Sequence, residues 1–559
     1  LPAEPVLLIS SRTLVREAYD VAWRIGVALE RAGKHPLIRA FPVIGDSIDL
    51  SGVKVPEALK PLPAFAALLG GDKHVIANNA EIGALLLLGA PDLRADLVVT
   101  DVKMTTNMIA ALEALGAQIA ALAPNAAPAF AAWRKQSASL ADGNIDNDTI
   151  RLTTVAGRPI VAIAPRAGAE AAALFTDLWR RIALTKTLVV HGTESLTNVD
   201  SIVPLSRLGG AVGAFDVLAR GDWTATFDLG RVTRGGRIPV ELVVDVSAAP
   251  GAATSSPVAS VMLNDVLLGA KRLNAEGKPE RIAARIPARI LAPRNVLRVS
   301  FQRQPMSDRC RETPQAYPAD VLPSSHLRLE KSTPADDFSG MIARFAEQGE
   351  MIVPAVFLTD APASLQMVIR MAQAAGLSPE DTQFNVVTGS APVTPKTSFL
   401  AFDVAIRGID EKSAPESGRL GLPGTANRKI ANVSGFNFIG VAEVVRVGDI
   451  AGIVYRNVGE NAPTSVPPFR LGQGDVAVIG PQGPVAEIEK SEMAESPPTA
   501  SAISAADWLK WLPSFKTDNQ TIQRSLNWGV PIFIGAVLIL VVIILVAGAA
   551  RRRARGDKS

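Results

Sequence analysis

The stretch Val530–Ala550, VPIFIGAVLILVVIILVAGAA, runs for 21 residues without a charge. As a helix rising about 1.5 Å per residue it reaches roughly 31 Å, the thickness of a bilayer's hydrocarbon core. A buried soluble helix is the alternative, but core helices of this length normally keep a polar face. The stretch therefore reads as one transmembrane helix, over 529–550, and it limits every other segment to one side of a membrane or the other.

Its flanks orient it. Arg551, Arg552, Arg553, Arg555 and Lys558 follow the span, opposed only by Asp557, whereas Asp507 to Trp528 is nearly balanced in charge. Short loops rich in Lys and Arg stay in the cytoplasm. The tail, 551–559, is then cytoplasmic and everything before the span lies outside: a single-pass membrane protein with an exported body. Such a topology needs an export signal. The opening LPAEPVLLIS has neither a basic region nor a long apolar one, so the expectation is a removed signal or a fragment. The rival, a tail-anchored protein with a cytosolic body, has to move its arginines across the membrane.

Just before the span, SAADWLKWLPSFKTDNQTIQRSLNW places Trp508, Trp511, Leu512 and Phe515 at i, i+3, i+4 and i+7, on one helical face. Pro513 kinks or ends that helix. Ile522 and Leu526 continue the apolar stripe, and Trp528 closes it. Indole rings belong at headgroup depth, so 503–528 reads as an amphipathic interfacial helix, following a linker at 491–502.

The length of 559 residues calls for several domains, since single cores stop growing near 250–300 residues. Residues 1–205 alternate short apolar strands (PVLLIS, HPLIRAFP, HVIANN, ADLVVTD, PIVAIAP, TLVVHG) with amphipathic helices such as LVREAYDVAWRIGVALERAG. That pattern indicates a parallel, doubly wound, flavodoxin-like domain. Residues 206–330 change to strands about ten residues apart, which is the spacing of a β-sandwich, with a hairpin turn at Asn264-Asp265. Residues 331–490 return to the helix-and-strand pattern, with PAVFLTD, QFNVVTG and SFLAFDVAI as strands and further strands at an edge.

Motifs of catalysis are missing. Neither GxxxxGK[ST] nor GxGxxG follows a strand; Ser10, Ser11 and Thr13 read as helix N-caps rather than a phosphate cradle. His35, His74, His191 and His326 are scattered, with no metal-ligand spacing, and no GxSxG occurs. DGNIDND lacks the Gly and Glu of a calcium loop. A near-neutral body argues against nucleic acid. A lone Cys310 leaves no internal disulfide. The sandwich is the better place for a ligand, because sugar rings stack on aromatic faces. Trp223, Phe227, Phe301 and Tyr317 are the available rings and Trp223 and Tyr317 the candidate sugar contacts, although Trp223 and Phe227 share a parity that usually means core.

Three stretches carry a family resemblance: SLTNVDSIVPLSRLGG…FDLG, VMLNDVLLGAKRL…IPARILAPRNVLRVSF, and DWLKWLPSF…W before the span. With the domain order, they make the chain resemble the B-type regulatory subunits of bacterial cellulose synthases, the membrane-anchored periplasmic partners of the catalytic cellulose synthase chains. The resemblance implies two flavodoxin-like domains flanking a carbohydrate-binding-like jelly roll, with the family's N-terminal signal and first jelly roll missing ahead of it. It implies a non-catalytic accessory subunit without a cofactor. UDP-glucose and cyclic di-GMP are expected on the catalytic partner only. Trp508, Trp511, Leu512, Phe515, Ile522, Leu526, Trp528 and the span would pack against that partner, and the outer domains would guide the nascent glucan. Two other classes remain open: a membrane-tethered periplasmic glycan hydrolase, which needs two converging carboxylates, and a solute-binding module, which needs a cleft between the two α/β domains.

Overall fold

Val6–Ile9 and Leu97–Val99, at the centre of the first sheet, are almost wholly buried, and their alternate residues feed two different cores. Leu7, Ile9, Leu97 and Val99 point into one; Leu8 and Val98 point into the other. A strand covered on both faces must be apolar throughout, which is why these segments read as continuous hydrophobic runs. The helices Arg16–Arg31 and Gly168–Thr176 cover the first face. Asn79–Leu88 and Val102–Leu122 cover the second.

These features come from a computed structural model, which describes residues 1–142, 148–176, 187–189, 201–210, 213–233, 236–250, 256–303, 316–409, 419–423, 429–434, 439–458, 466–472 and 474–489. The linker, the interfacial helix, the candidate span, the basic tail, Cys310 and His191 lie outside the described residues, as does most of the DGNIDND loop. Among the described residues no helix is long and apolar enough to cross a membrane.

The order of strands in the first sheet is Leu37–Ala40, Val6–Ile9, Leu97–Val99, Arg158–Ile163, Thr149–Val155 and Thr187–Val189. The first four are mutually parallel. Thr149–Val155 is antiparallel to both its neighbours. It is the departure from the fully parallel sheet expected of the sequence, in which the alternating TIRLTTV does not stand out as a strand. Lys73–Val75, which overlaps the expected strand HVIANN only at His74 and Val75, is not in this sheet and forms a separate two-stranded ribbon with Ser47–Asp49.

The second α/β sheet runs Thr382–Val387, Gly349–Pro354, Phe399–Phe402, Ile450–Asn457, Gly440–Val447, Val476–Gly480 and Gly483–Ile488. Its first four strands are parallel, and the last three add an antiparallel edge. The strand begins at Gly349, ahead of PAVFLTD, whose Ala355–Leu358 is a 3-10 turn. Gly440–Val447 is likewise a strand that the sequence pattern does not single out. In both α/β regions the first strand leads into the helix that faces the other region. Both helices end in a left-handed glycine, Gly33 at φ 72° and Gly376 at φ 81°. There the backbone turns back to satisfy orphan carbonyls: Lys34 N donates to Leu29 O and Leu377 N to Ala372 O, each at 2.9 Å.

In sequence, two antiparallel sheets around a common core separate these regions. One comprises Phe215–Val217, Tyr317–Val321, Arg237–Ala248, His326–Lys331 and Ile202–Pro204, with Glu280–Arg285 also paired to the long Arg237–Ala248 strand. The other orders Arg220–Asp228, Arg294–Gln302, Val258–Leu263 and Val266–Arg272. Because Ile202–Pro204 pairs with His326–Lys331, the sandwich begins before the boundary expected at 205. Asn264 and Asp265 adopt φ of 50° and 65°, the positive values of a two-residue hairpin turn.

Candidate functional site

In an open α/β sheet the ligand crevice lies at the carboxyl ends of the strands, where the strand order reverses. In the first sheet that point follows Ile9. The Ser10 hydroxyl donates to Asp101 Oδ2 at 2.6 Å, and Asp101 in turn caps the Val102–Leu122 helix by accepting from Met104 N at 2.8 Å. Ser11 bonds to the Thr13 carbonyl, and the residue at the N-cap of Arg16–Arg31 is Val15, without a side-chain cap. The N-cap reading of Ser10, Ser11 and Thr13 is therefore corrected: the Ser10 and Thr13 hydroxyls tie the crevice loop to other segments, and that of Ser11 bonds within the loop.

That loop closes on its counterpart in the second α/β region. Leu14 N donates to Leu358 O at 2.9 Å and Ala361 N to Arg12 O at 2.8 Å, a reciprocal pair. The Thr13 hydroxyl reaches Thr359 O at 3.1 Å. A phosphate-binding loop leaves such amides free for an anion; here these two are engaged with protein. Behind the loops the helices Arg16–Arg31 and Ala361–Ala375 pack directly. A Cβ on Gly26 would lie 2.2 Å from Ile369 Cδ1. One continuous core holds Tyr19, Trp23, Leu365, Met351 and Leu400, so this seam is filled where a solute-binding module needs a cleft.

The seam also gathers charge. Arg31 Nη2 donates to Gly376 O at 3.1 Å and Leu377 O at 2.9 Å, and Arg24 Nη1 to Pro379 O at 2.7 Å. These guanidinium groups meet carbonyls at and beyond a helix carboxyl end, where cations are favoured. Glu30 pairs with Arg370 in a nearly dry setting. Burial pushes the Glu30 carboxyl up to about 7, against the lowering pull of Arg370. Arg370 also donates to Val466 O at 2.9 Å. Every one of these groups has a structural partner.

The sandwich gives a different answer from the one expected of its rings. Trp223 is 5% exposed and Tyr317 1%, both inside the core with Phe227 and Phe301. As proposed sugar platforms they are corrected: strand alternation turns them inward. No Phe, Trp or Tyr is exposed among the described residues. The opposite parity builds the outer face of the four-stranded sheet. Register places Thr224 beside Arg298 and Arg298 beside Met262; Asp222 lies beside Ser300, and Ser300 beside Ser260. Arg298 Nη2 donates to Asp265 Oδ1 at 2.7 Å. Burial raises the Asp222 carboxyl, but hydrogen bonds from Ser300 and Arg220 outweigh it and hold the group below its usual value. The sequence reading missed this polar face because its residues carry no motif; only their common parity marks them.

The motif VMLNDVLLG…LAPRNV is a folding device. Asn264 Nδ2 donates to Ile290 O at 2.7 Å and to Asn295 Oδ1 at 2.9 Å, and Asn264 Oδ1 accepts from Val296 N at 2.9 Å. Asn295 is fully buried and holds Ala292 through both its amide atoms. Among the described residues no group of three or more His, Cys, Asp or Glu is placed to hold a metal ion.

The chain thus carries a two-sheet β-sandwich with a polar outer face, placed in sequence between two α/β regions that pack on each other. Residues 239–333 match the family described as the first CBM domain of cellulose synthase BcsB, and this match supports a BcsB-type regulatory subunit. The matched description is of a first carbohydrate-binding domain, whereas the resemblance placed this sandwich after a missing first one; here it follows an α/β region. No curated protein matches the chain. Among solved structures, the C-terminal domain of EclA, a sugar-binding protein, is 10% identical over 28% of this chain and 96% of its own, with a TM-score of 0.15. A family 35 carbohydrate-binding module from an environmental isolate is 10% identical over 23% and 91%, also at 0.15. The acetyl xylan esterase Est2A of Butyrivibrio proteoclasticus is 10% identical over 34% and 50%, at 0.14.

Proposed function

We propose that the chain is a non-catalytic accessory subunit of a bacterial cellulose synthase. The observation that carries this reading is the match of residues 239–333 to a carbohydrate-binding domain of that machine. The filled seam and the engaged crevice loops support a scaffold role for the two flavodoxin-like regions over a nucleotide-binding or solute-binding one. In this reading the body is periplasmic, Val530–Ala550 crosses the inner membrane once, and the arginine-rich tail stays in the cytoplasm. Trp508, Trp511, Leu512, Phe515, Ile522, Leu526 and Trp528 lie at the outer leaflet and pack against the catalytic subunit's transmembrane helices. The chain itself carries no cofactor, and UDP-glucose and cyclic di-GMP act on the catalytic partner. With its rings buried, the sandwich meets the emerging glucan through polar groups such as Asp222, Thr224 and Arg298, which guide a moving chain without gripping it.

Reconstituting the synthase with this chain ended before Ser504 tests the anchor's part. Loss of glucan synthesis is expected. Full synthesis by the shortened chain would reject the anchor role.

A further inference from the structure

Among the described residues, Met104, Met108, Met341, Met351, Met367 and Met371 are each no more than 6% exposed, whereas Met262 is half-buried. Strand parity explains its place. Ala259, Val261 and Leu263 fill the sandwich core, so Val258, Ser260 and Met262 of the same strand face outward. Arg298 is the neighbour of Met262 on one side and Leu267 on the other. The pairing shifts between Val261 and Met262, leaving Leu268 as the extra residue of a bulge. Leu267 beside it is 56% exposed.

Two features make this sulfur more than an accessible atom. First, Arg298 Nη2 donates to Met262 Sδ at 3.3 Å while it holds Asp265 Oδ1 at 2.7 Å. A thioether is a weak acceptor. The Asp265 side chain is 86% exposed, and an ion pair so open to solvent contributes little. A sulfoxide oxygen on this sulfur would give the guanidinium a stronger, charge-assisted bond. Second, the face carries no ring, so Met262 and Leu267 supply the apolar, polarisable surface beside Thr224 and Arg298 on which the C–H groups of a sugar rest. Oxidation turns that flexible apolar side chain into a polar one. The step balances. A sulfur lone pair attacks the protonated oxygen of a hydroperoxide, the O–O bond breaks, and the proton passes to the leaving oxygen. Sulfur loses two electrons to become the sulfoxide, and hydrogen peroxide is reduced to water.

We propose that Met262 is an oxidation site on the outer face of the sandwich: a hydroperoxide converts it to the sulfoxide, and the face then loosens its hold on glucan. The second part rests on the reading of that face as the glucan contact; the oxidation itself does not. The full chain in detergent is treated with hydrogen peroxide, and sulfoxide at each methionine is followed by peptide mass spectrometry beside retention on cellulose. Met262 is expected to oxidise roughly tenfold faster or more than any of the six buried methionines, which react only when their cores open. Retention should fall severalfold and recover when a methionine sulfoxide reductase restores the thioether. In Met262→Leu, which keeps the volume, retention should no longer respond to peroxide. Met262 oxidising no faster than Met104 or Met351 would overturn the site. Unchanged retention at full oxidation of Met262, or the same fall in Met262→Leu, would overturn its effect on the face. An untreated chain that cellulose does not retain would reject the glucan contact and the second part with it, while the oxidation rates decide the first.

Discussion

The seam between the Arg16–Arg31 and Ala361–Ala375 helices and the outer face of the four-stranded sheet use the same residue types to opposite ends. At the seam, Arg24, Arg31, Glu30 and Arg370 are buried and bound to protein carbonyls or to each other. On the face, Arg298 and Asp222 are only partly covered, and Asp265 is almost fully exposed. Charge in a doubly wound domain invites a catalytic or nucleotide-binding interpretation, yet here the buried set joins two regions into one body. The set open to a partner is the shallow one, with no ring and no motif. Burial and partners, rather than residue type, separate scaffold from contact surface.

The sharpest break of that comparison is to strip one member of the buried pair. Arg370→Ala removes the partner of the buried Glu30 and, measured above pH 8 where that carboxyl is ionised beside its arginine, should cost about 3–5 kcal/mol in denaturant unfolding. Replacing both by apolar residues, Glu30→Leu with Arg370→Met, should restore most of that loss. Trp223→Ala should cost a similar amount, about 3–5 kcal/mol, by opening a cavity in the sandwich core. A folded Trp223→Phe variant should keep any glucan binding, because the ring never reaches the surface; loss of binding in that variant would restore the stacking role.

The seam should also respond to pH. The folded-state value for Glu30, about 7, lies above its ordinary 4.5, so the folded state holds the proton more tightly than the unfolded one. This contribution is fully present below about 4.5 and is lost as pH rises through 7. The loss is at most about 3 kcal/mol at 1.36 kcal/mol per unit. Unfolding at pH 5 and pH 8 should show it in the wild type and not in Glu30→Gln.

Smaller effects follow on the sandwich. Asn264→Ala removes three hydrogen bonds and a residue tolerant of positive φ, and should cost about 2 kcal/mol. Arg298→Ala on the open face should change stability by no more than about 0.5 kcal/mol while weakening retention of the chain on cellulose. Equal retention would move the glucan contact elsewhere.

Much of the architecture was legible because periodicity reports burial. VLLI, ADLVV and SFLAF announced strands covered on both faces, and the spacing of Ala18, Val21, Ala22, Ile25 and Leu29 announced a helix, though not that Tyr19, Trp23, Gly26 and Val27 would be buried as well against the second α/β region. Asn264-Asp265 announced its turn because few other residues accept positive φ. Thr149–Val155 and Gly440–Val447 escaped notice because an edge or antiparallel strand in a mixed sheet carries a weaker pattern than a central parallel one. The site was less legible. Parity already placed Trp223 and Phe227 in the core, and chemistry argued for exposure; parity was the better guide. The seam was invisible in the sequence, since nothing local to Arg24 or Glu30 tells that their partners lie more than three hundred residues away.

The most direct measurement of the account's central claim is glucan synthesis in proteoliposomes that contain the catalytic cellulose synthase subunit with or without this chain. The account predicts that the two co-purify and that UDP-glucose is polymerised only when the full chain is present. A catalytic subunit that polymerises equally well alone, and that leaves this chain behind on purification, would contradict it.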